Sequence, residues 1–139
     1  MTPDLAPHLR PTTEREIEDS IRALFLRAGW LPLKTEAGMV SRGRRAGPRR
    51  GHLPPGWPDL TVLRRLPGSP LCLAALIEVK TLTGTLEESQ VLRHAELRTL
   101  GLTPHIIRDA QAARALIAEG HRLAALLGRA GHDEEAGAT

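Results

Sequence analysis

The sequence contains very few aromatic or sulfur-containing side chains. Its 139 residues include two Trp, one Phe, no Tyr and a single cysteine, Cys72. This shortage of aromatic side chains argues against a nucleic-acid-binding module that stacks bases, so that nucleic-acid binding would depend on contacts to phosphates. A single cysteine excludes internal disulfides and zinc sites built on cysteine. We therefore expect the protein to reside in a reducing compartment.

Long apolar runs are also missing. The longest covers residues 71–77, far short of the ~18 residues that suggest a membrane-spanning helix. The first ten residues lack the apolar stretch of a secretion signal. We therefore expect a cytoplasmic protein that does not bind a membrane.

Length and composition predict one globular domain. Hydrophobic residues make up 41% and charged residues 25% of the chain, and 19 Lys and Arg against 16 Asp and Glu give a net charge of +3. We divide the chain into a leader (1–12), a single domain (13–127) and a flexible tail (128–139).

Hydrophobic periodicity and turn residues predict an α/β protein with a central sheet flanked by helices. Thr13 with Glu16, and Thr85 with Glu88, have capping-box spacing, and Asp109 can cap the last helix. The predicted order is helix 13–28, strand 30–36, strand 59–66, strand 71–81, helix 86–100, strand 103–109 and helix 110–127.

A long basic loop over residues 37–58 separates the first two strands. Loops of this length inside a domain tend to be functional or disordered. If it is ordered, its guanidinium groups can lie along phosphates, and the alternative is a solvated, flexible segment. Its arginines are Arg42, Arg44, Arg45, Arg49 and Arg50.

The strongest predicted strand ends in Ile77, Glu78, Val79 and Lys80. Because side chains alternate along a strand, Glu78 and Lys80 project from the same face. This arrangement presents a carboxylate beside an ammonium. The alternative is a solvated strand end, where charged residues are common.

A second acid, Asp59, follows Pro58 at the start of the preceding strand. Pro-Asp is also common in turns. If the two strands form a hairpin, however, Asp59 and Glu78 lie at the same end of the sheet. Two neighbouring carboxylates repel each other, and a hard divalent cation such as Mg²⁺ or Mn²⁺ resolves the repulsion.

The first helix offers a third acid. At about 100° per residue, Glu14 falls within about 40° of the centre of the apolar stripe. We therefore expect Glu14 to face inward. Glu18, on the flank of the stripe, is the alternative candidate for the third acid. An acid at a helix start is also favoured by the helix dipole alone.

Together these residues resemble the VRR-NUC family of PD-(D/E)xK nucleases, over about residues 13–118. The resemblance lies in the order and strand context of the motif residues and in the spacing that follows them. The residues that carry it are Glu14, Gly56, Pro58, Asp59, Ile77, Glu78, Val79, Lys80, Gly84 and Gln90.

The resemblance implies a restriction-endonuclease-like core and a metal-dependent nuclease site. Asp59, Glu78 and the Val79 carbonyl would bind Mg²⁺, for which Mn²⁺ can substitute, and Glu14 would complete the acidic cluster. Lys80 would orient the attacking water or stabilise developing charge. Gln90 would support the site from the following helix.

Small members of this family look like resolvases of four-way (Holliday) DNA junctions. The resemblance therefore implies branched DNA as substrate, a two-fold homodimer and a prokaryotic or phage-infected cell. Leu116, Leu123, Leu126 and Leu127 could form the dimer contact or pack in the core. Two alternatives stay open: a nuclease for flaps, nicks or linear duplex, and a nuclease-like fold that binds DNA without cutting it.

Overall fold

The structure is a computed structural model that describes residues 13–36 and 53–137, with the side chains of the last helix described up to residue 128. The predicted α/β class and the predicted order of helices and strands are both confirmed. The elements are α1 (Glu14–Arg27), β1 (Leu31–Lys34), β2 (Leu60–Arg65), β3 (Cys72–Val79), α2 (Glu88–Thr99), β4 (Pro104–Ile107) and α3 (Ala110–Gly137).

The four strands form one mixed sheet in the order β1-β2-β3-β4. β1, β2 and β3 pair antiparallel, whereas β3 and β4 pair parallel. Pro32 lies in β1 at the edge of the sheet, where its missing N–H costs no ladder bond. The parallel pair needs a crossover connection, and α2 supplies it.

The core lies between the sheet and the α1 and α3 helices. The apolar stripe of α1 supplies Ile17, Ile21 and Phe25, which pack against buried strand residues such as Ile77 and Val79. The Phe25 and Trp30 rings meet edge to face with their centroids 5.2 Å apart. The core also includes Leu60, Val62, Ile107 and Ala113.

The end of β3 is buried on both faces. Its last four residues are buried in succession, whereas its first four are exposed or half-buried. Helices lie on both sides of the sheet at this end, so alternation of polar and apolar residues is not required there. This burial decides the environment of Glu78.

Helix capping agrees with prediction in α1 and α3 and differs in α2. Thr13 Oγ1 accepts from the Glu16 amide at 3.2 Å, and Asp109 Oδ1 accepts from the Ala112 amide at 2.9 Å. α2 begins at Glu88 with Glu87 as its N-cap, so the predicted start at about residue 86 with Thr85 as the cap is wrong. Gln90 Oε1 accepts from the Glu87 amide at 2.9 Å and thereby closes the first turn two residues later than predicted.

The last helix continues to Gly137, beyond the predicted end near residue 127. No proline follows Pro104 in the sequence. Isolated glycines cost a helix only about 1 kcal/mol each and do not end it. Within the described part of the chain, no helix is both long enough and apolar enough to cross a membrane.

Candidate active site

The hairpin of β2 and β3 brings Asp59 and Glu78 to the same end of the sheet. Leu60 pairs with Ile77 in the antiparallel register, so Asp59 and Glu78 are the next positions on the two strands. Asp59 Oδ2 accepts a hydrogen bond from the Val79 amide at 2.8 Å. The expected meeting of these two acids is therefore present in the structure.

The backbone around Asp59 is fixed by the end of β1. The Thr35 amide donates to the Asp59 carbonyl at 2.8 Å, and the Thr35 hydroxyl donates to the Pro58 carbonyl at 2.9 Å. On the other side, Trp57 N donates to Pro54 O at 3.2 Å and closes a turn. The Asp59 side chain thus begins from a backbone that is held on both sides.

Glu78 lies inside the protein with both carboxylate oxygens hydrogen-bonded. Its exposed fraction is 0%. Gln90 Nε2 donates to Oε1 at 2.9 Å, and His94 Nε2 lies 3.0 Å from Oε2. The alternative interpretation, that Glu78 lies at a solvated strand end, is therefore wrong.

Burial raises the pKa of Glu78 to about 9, with further increases from a hydrogen bond to the Asp59 carboxyl and from its charge, and Lys80 opposes the rise. Two carboxyl groups that share one site cannot both ionise easily without a cation. Burial and the neighbouring Asp59 charge therefore favour the protonated form of Glu78 when no cation is bound.

Lys80 brings a buried positive charge to the same end of the sheet. Only 6% of its side chain is exposed, and Nζ lies 3.5 Å from Glu14 Oε1. Its amide donates to the Ile107 carbonyl at 3.2 Å and continues the pairing of β3 with β4. The ammonium is thus held by backbone geometry next to the acidic pair.

The inward orientation predicted for Glu14 is wrong, because half of its side chain is exposed. Glu18 is the buried acid of α1, and Lys34 Nζ contacts it at 3.2 Å. Glu14 lies in the first turn of α1, where half of its side chain is exposed to water. It is nevertheless the α1 acid that contacts Lys80.

Glu14 and Asp59 line two adjoining depressions, whereas Glu78 lines neither. The smaller, with a volume of about 180 Å³, has Glu14, Asp59, Lys80 and Gln90 among its lining residues. The larger, about 520 Å³, lies on the side of β1 and also contains Glu14 and Asp59. Its further lining residues are Arg15, Glu18, Asp19, Arg22, Lys34, Glu36 and Val79.

Asp59 and Glu78 offer the oxygen ligands that a hard divalent cation prefers, with Asp59 at the surface of both depressions and Glu78 buried behind it. Within residues 13–36 and 53–137, no three His, Cys, Asp or Glu side chains already form a cage for an ion. Mg²⁺ does not require such a cage, since it is commonly bound by one or two carboxylates and several waters. The neighbouring Asp59 charge contributes to the raised pKa of Glu78, and a cation bound beside the two carboxyl groups would relieve that repulsion.

His94 is not identified as a site residue by the sequence analysis. The structure places it against Glu78. The available signal was its spacing of four from Gln90, which puts both side chains on one face of α2. The five arginines of the basic loop, from Arg42 to Arg50, and His52 lie outside the described residues.

Comparison with known proteins bears on the fold. No protein-family model and no curated protein matches the chain. Among solved structures, one described as "VRR_NUC domain" matches with a TM-score of 0.53 and 21% identity, over 78% of this chain and 97% of that chain. This chain has the fold of a VRR_NUC domain.

The VRR_NUC fold confirms the expected central mixed sheet flanked by helices. The match includes nearly the whole of the compared chain. At 21% identity the likeness concerns the fold, so an activity has to be argued from the side chains at the end of β2 and β3.

Proposed function

We propose that this protein is a divalent-metal-dependent endonuclease that hydrolyses phosphodiester bonds in DNA. The observation that supports it is the convergence of Asp59, buried Glu78 and buried Lys80 at one end of the sheet. Two carboxylates beside an ammonium are the groups that phosphodiester hydrolysis needs when no side-chain nucleophile takes part.

Each residue has a distinct role in this proposal. Asp59, Glu78 and the Val79 carbonyl hold the cation, and Glu14 completes the acidic cluster. When bound, the cation supplies positive charge to the phosphate oxygens and makes a water more acidic. Lys80 orients the attacking water or stabilises the charge that develops on the phosphate.

Gln90 has a supporting role that its hydrogen bonds explain. Its amide nitrogen donates to Glu78 and its amide oxygen accepts from the Glu87 backbone. The first turn of α2 thereby fixes which Glu78 oxygen receives a hydrogen bond. A fixed carboxylate loses less freedom when it binds an ion.

The proposed substrate is branched DNA, in particular a four-way junction, cut by a homodimer. The arginines of the basic loop would contact the phosphates, with binding that weakens strongly as salt rises. A two-fold dimer is the arrangement that cuts two symmetrically placed strands. Leu123, Leu126 and Leu127 on α3 are exposed and available for such a contact, whereas Leu116 packs against the core.

The experiment compares cleavage of labelled four-way, flapped and linear DNA by the full chain, in Mg²⁺, in Mn²⁺ and in EDTA. Asp59→Asn removes one carboxylate charge from the site. Asp109→Asn is the matched control, because Asn caps a helix as well as Asp does and Asp109 lies at the start of α3. We expect metal-dependent cleavage that Asp59→Asn abolishes and Asp109→Asn retains.

Other results select among the alternatives. Equal rates on all three DNA forms would refute the preference for four-way junctions while leaving a nuclease. DNA binding without cleavage in either metal would refute the enzymatic proposal and favour a non-cleaving binding module. A chain that stays monomeric in light scattering while it cuts would refute the dimer.

A further inference from the structure

His94 is a fully buried histidine whose ring contacts one proposed metal ligand. It lies on α2, its exposed fraction is 0%, and its Nε2 atom lies 3.0 Å from Glu78 Oε2. A buried histidine N–H needs an acceptor and a buried carboxylate needs donors, so this contact can satisfy both groups. It also links α2 directly to a proposed metal ligand.

The two nitrogens of the His94 ring differ in their surroundings. Nε2 faces Glu78, whereas Nδ1 is buried and has no hydrogen-bond partner among the described residues. When Glu78 is ionised, as a metal ligand must be, only an N–H at Nε2 can complete the bond. A neutral ring then leaves Nδ1 as a bare acceptor, which is less costly to bury than an unpaired N–H.

His94 and Gln90 together hold the Glu78 carboxylate from both sides. Gln90 donates to Oε1 and His94 contacts Oε2, so each oxygen has one donor from the same face of α2. Each oxygen retains a further lone pair that can bind an ion. With two donors the rotation of the carboxylate about its last bond is fixed, which one donor alone does not achieve.

We infer that His94 is a positioning residue that orients Glu78 for the divalent cation by donating a hydrogen bond from Nε2 to Oε2. The inference rests on the proposed metal-dependent function and adds a residue to it. Donors that hold metal ligands in this way typically change metal affinity about 10- to 100-fold when they are lost. His94 itself contacts neither the cation nor the DNA.

The test measures Mn²⁺ binding to the full chain by isothermal titration calorimetry. His94→Gln keeps an N–H near the position of Nε2, and His94→Asn places its amide near Nδ1, too far back to reach Glu78. His94→Met keeps the volume and removes the donor. His105→Met, at a half-buried histidine on β4, is the matched control.

We expect Mn²⁺ affinity to fall about 10- to 100-fold in His94→Asn and His94→Met, and to stay close to wild type in His94→Gln and His105→Met. Circular dichroism identifies any variant that does not fold, and the His94→Asn and His94→Gln pair still decides the question if His94→Met is lost. A general packing role does not predict rescue by Gln.

Two outcomes would overturn the inference. Folded His94→Asn that binds Mn²⁺ as tightly as wild type would show that Glu78 needs no second donor. Equal losses in the Gln and Asn variants would assign His94 a role in shape alone. If wild-type protein binds no Mn²⁺, the proposed function fails as well, and that result is distinct from the first two.

Discussion

Gly56 offers a sharp test of how the turn before Asp59 fits against α2. Its φ is +76°, and a Cβ added there would overlap the Ser89 carbonyl oxygen, with the carbonyl carbon at 2.6 Å and Arg93 Cβ at 3.0 Å. Arg93 Nε also donates to the Pro55 carbonyl at 3.0 Å. The turn therefore lies directly on the first turns of α2, the helix that carries Gln90.

The magnitude for Gly56→Ala follows from two separable effects. A left-handed conformation costs a residue with a Cβ about 1–2 kcal/mol. Forcing extra volume into a packed place costs about a further 1–3 kcal/mol, and here the obstacle is helix backbone, which cannot rotate away. We expect Gly56→Ala to lower the free energy of unfolding by about 2–5 kcal/mol.

Gly68→Ala is the matched control. Gly68 has a φ of +77°, and a Cβ added there meets nothing within 4 Å. The conformational cost and the effect of Ala on the unfolded chain are therefore shared by the two variants. The difference between their stabilities isolates the contact with α2, and we expect Gly68→Ala to lose only the conformational cost of about 1–2 kcal/mol.

Urea unfolding followed by circular dichroism measures both variants, and Mn²⁺ titration measures the site. We expect Gly56→Ala, but not Gly68→Ala, to weaken Mn²⁺ binding, because displacement of α2 separates Gln90 from Glu78. Equal loss of stability in the two variants would refute the reasoning. So would a Gly56→Ala protein with wild-type stability.

Three further predictions concern the site and its supports. Lys80→Met should leave the fold intact, since the Glu14 carboxylate that loses its partner is half-exposed to water. It should lower the cleavage rate at least about 100-fold in single-turnover assays, and a rate near wild type would contradict the catalytic role of Lys80. The pKa of Glu78 is raised to about 9 from 4.5. The stability that protonated Glu78 gives the metal-free protein is therefore fully present below about pH 4.5 and is lost as the pH rises through about 9. Mn²⁺ must displace the Glu78 proton, so calorimetry should show Mn²⁺ affinity that rises up to about tenfold per pH unit between about pH 4.5 and 9, with release of a proton. An Mn²⁺ affinity that does not change with pH would contradict the raised pKa of Glu78. Arg108→Gln should lower the free energy of unfolding in urea by about 2 kcal/mol, because Arg108 donates to the Thr81 and Gly84 carbonyls next to Lys80. The control variant Arg122→Gln, at an exposed position on α3, should leave the urea midpoint unchanged.

The agreement between sequence and structure is closest where the signal is local. The stripe Ile17, Ile21 and Phe25 has the period of a helix, and each of these residues is buried in the core. Asp59 and Glu78 could be paired from the sequence because a hairpin with a short turn fixes which strand ends meet. Their meeting required no knowledge of the helices.

Prediction fails where an environment depends on distant packing. Helical rotation alone placed Glu14 inward and Glu18 on the flank, whereas Glu18 is the buried acid and Glu14 is half-exposed. The angle around a helix says which face a residue shares, but not how far along the helix the sheet extends beneath it. The predicted start of α2 was wrong for a related reason. The Gln90 side chain closes the first turn of α2 and also donates to Glu78, a contact between separate elements.

The sequence by itself determined the order of helices and strands, the adjacency of Asp59 and Glu78 and the position of Lys80 two residues further on. The tertiary structure alone decided that α2 crosses the sheet with Gln90 and His94 against Glu78, and that Lys80 is buried beside Glu14. The physical reason is that periodicity and turns act between near neighbours in the chain. Burial of a carboxylate and the donors that satisfy it are instead set by packing between separate elements, which no local pattern records.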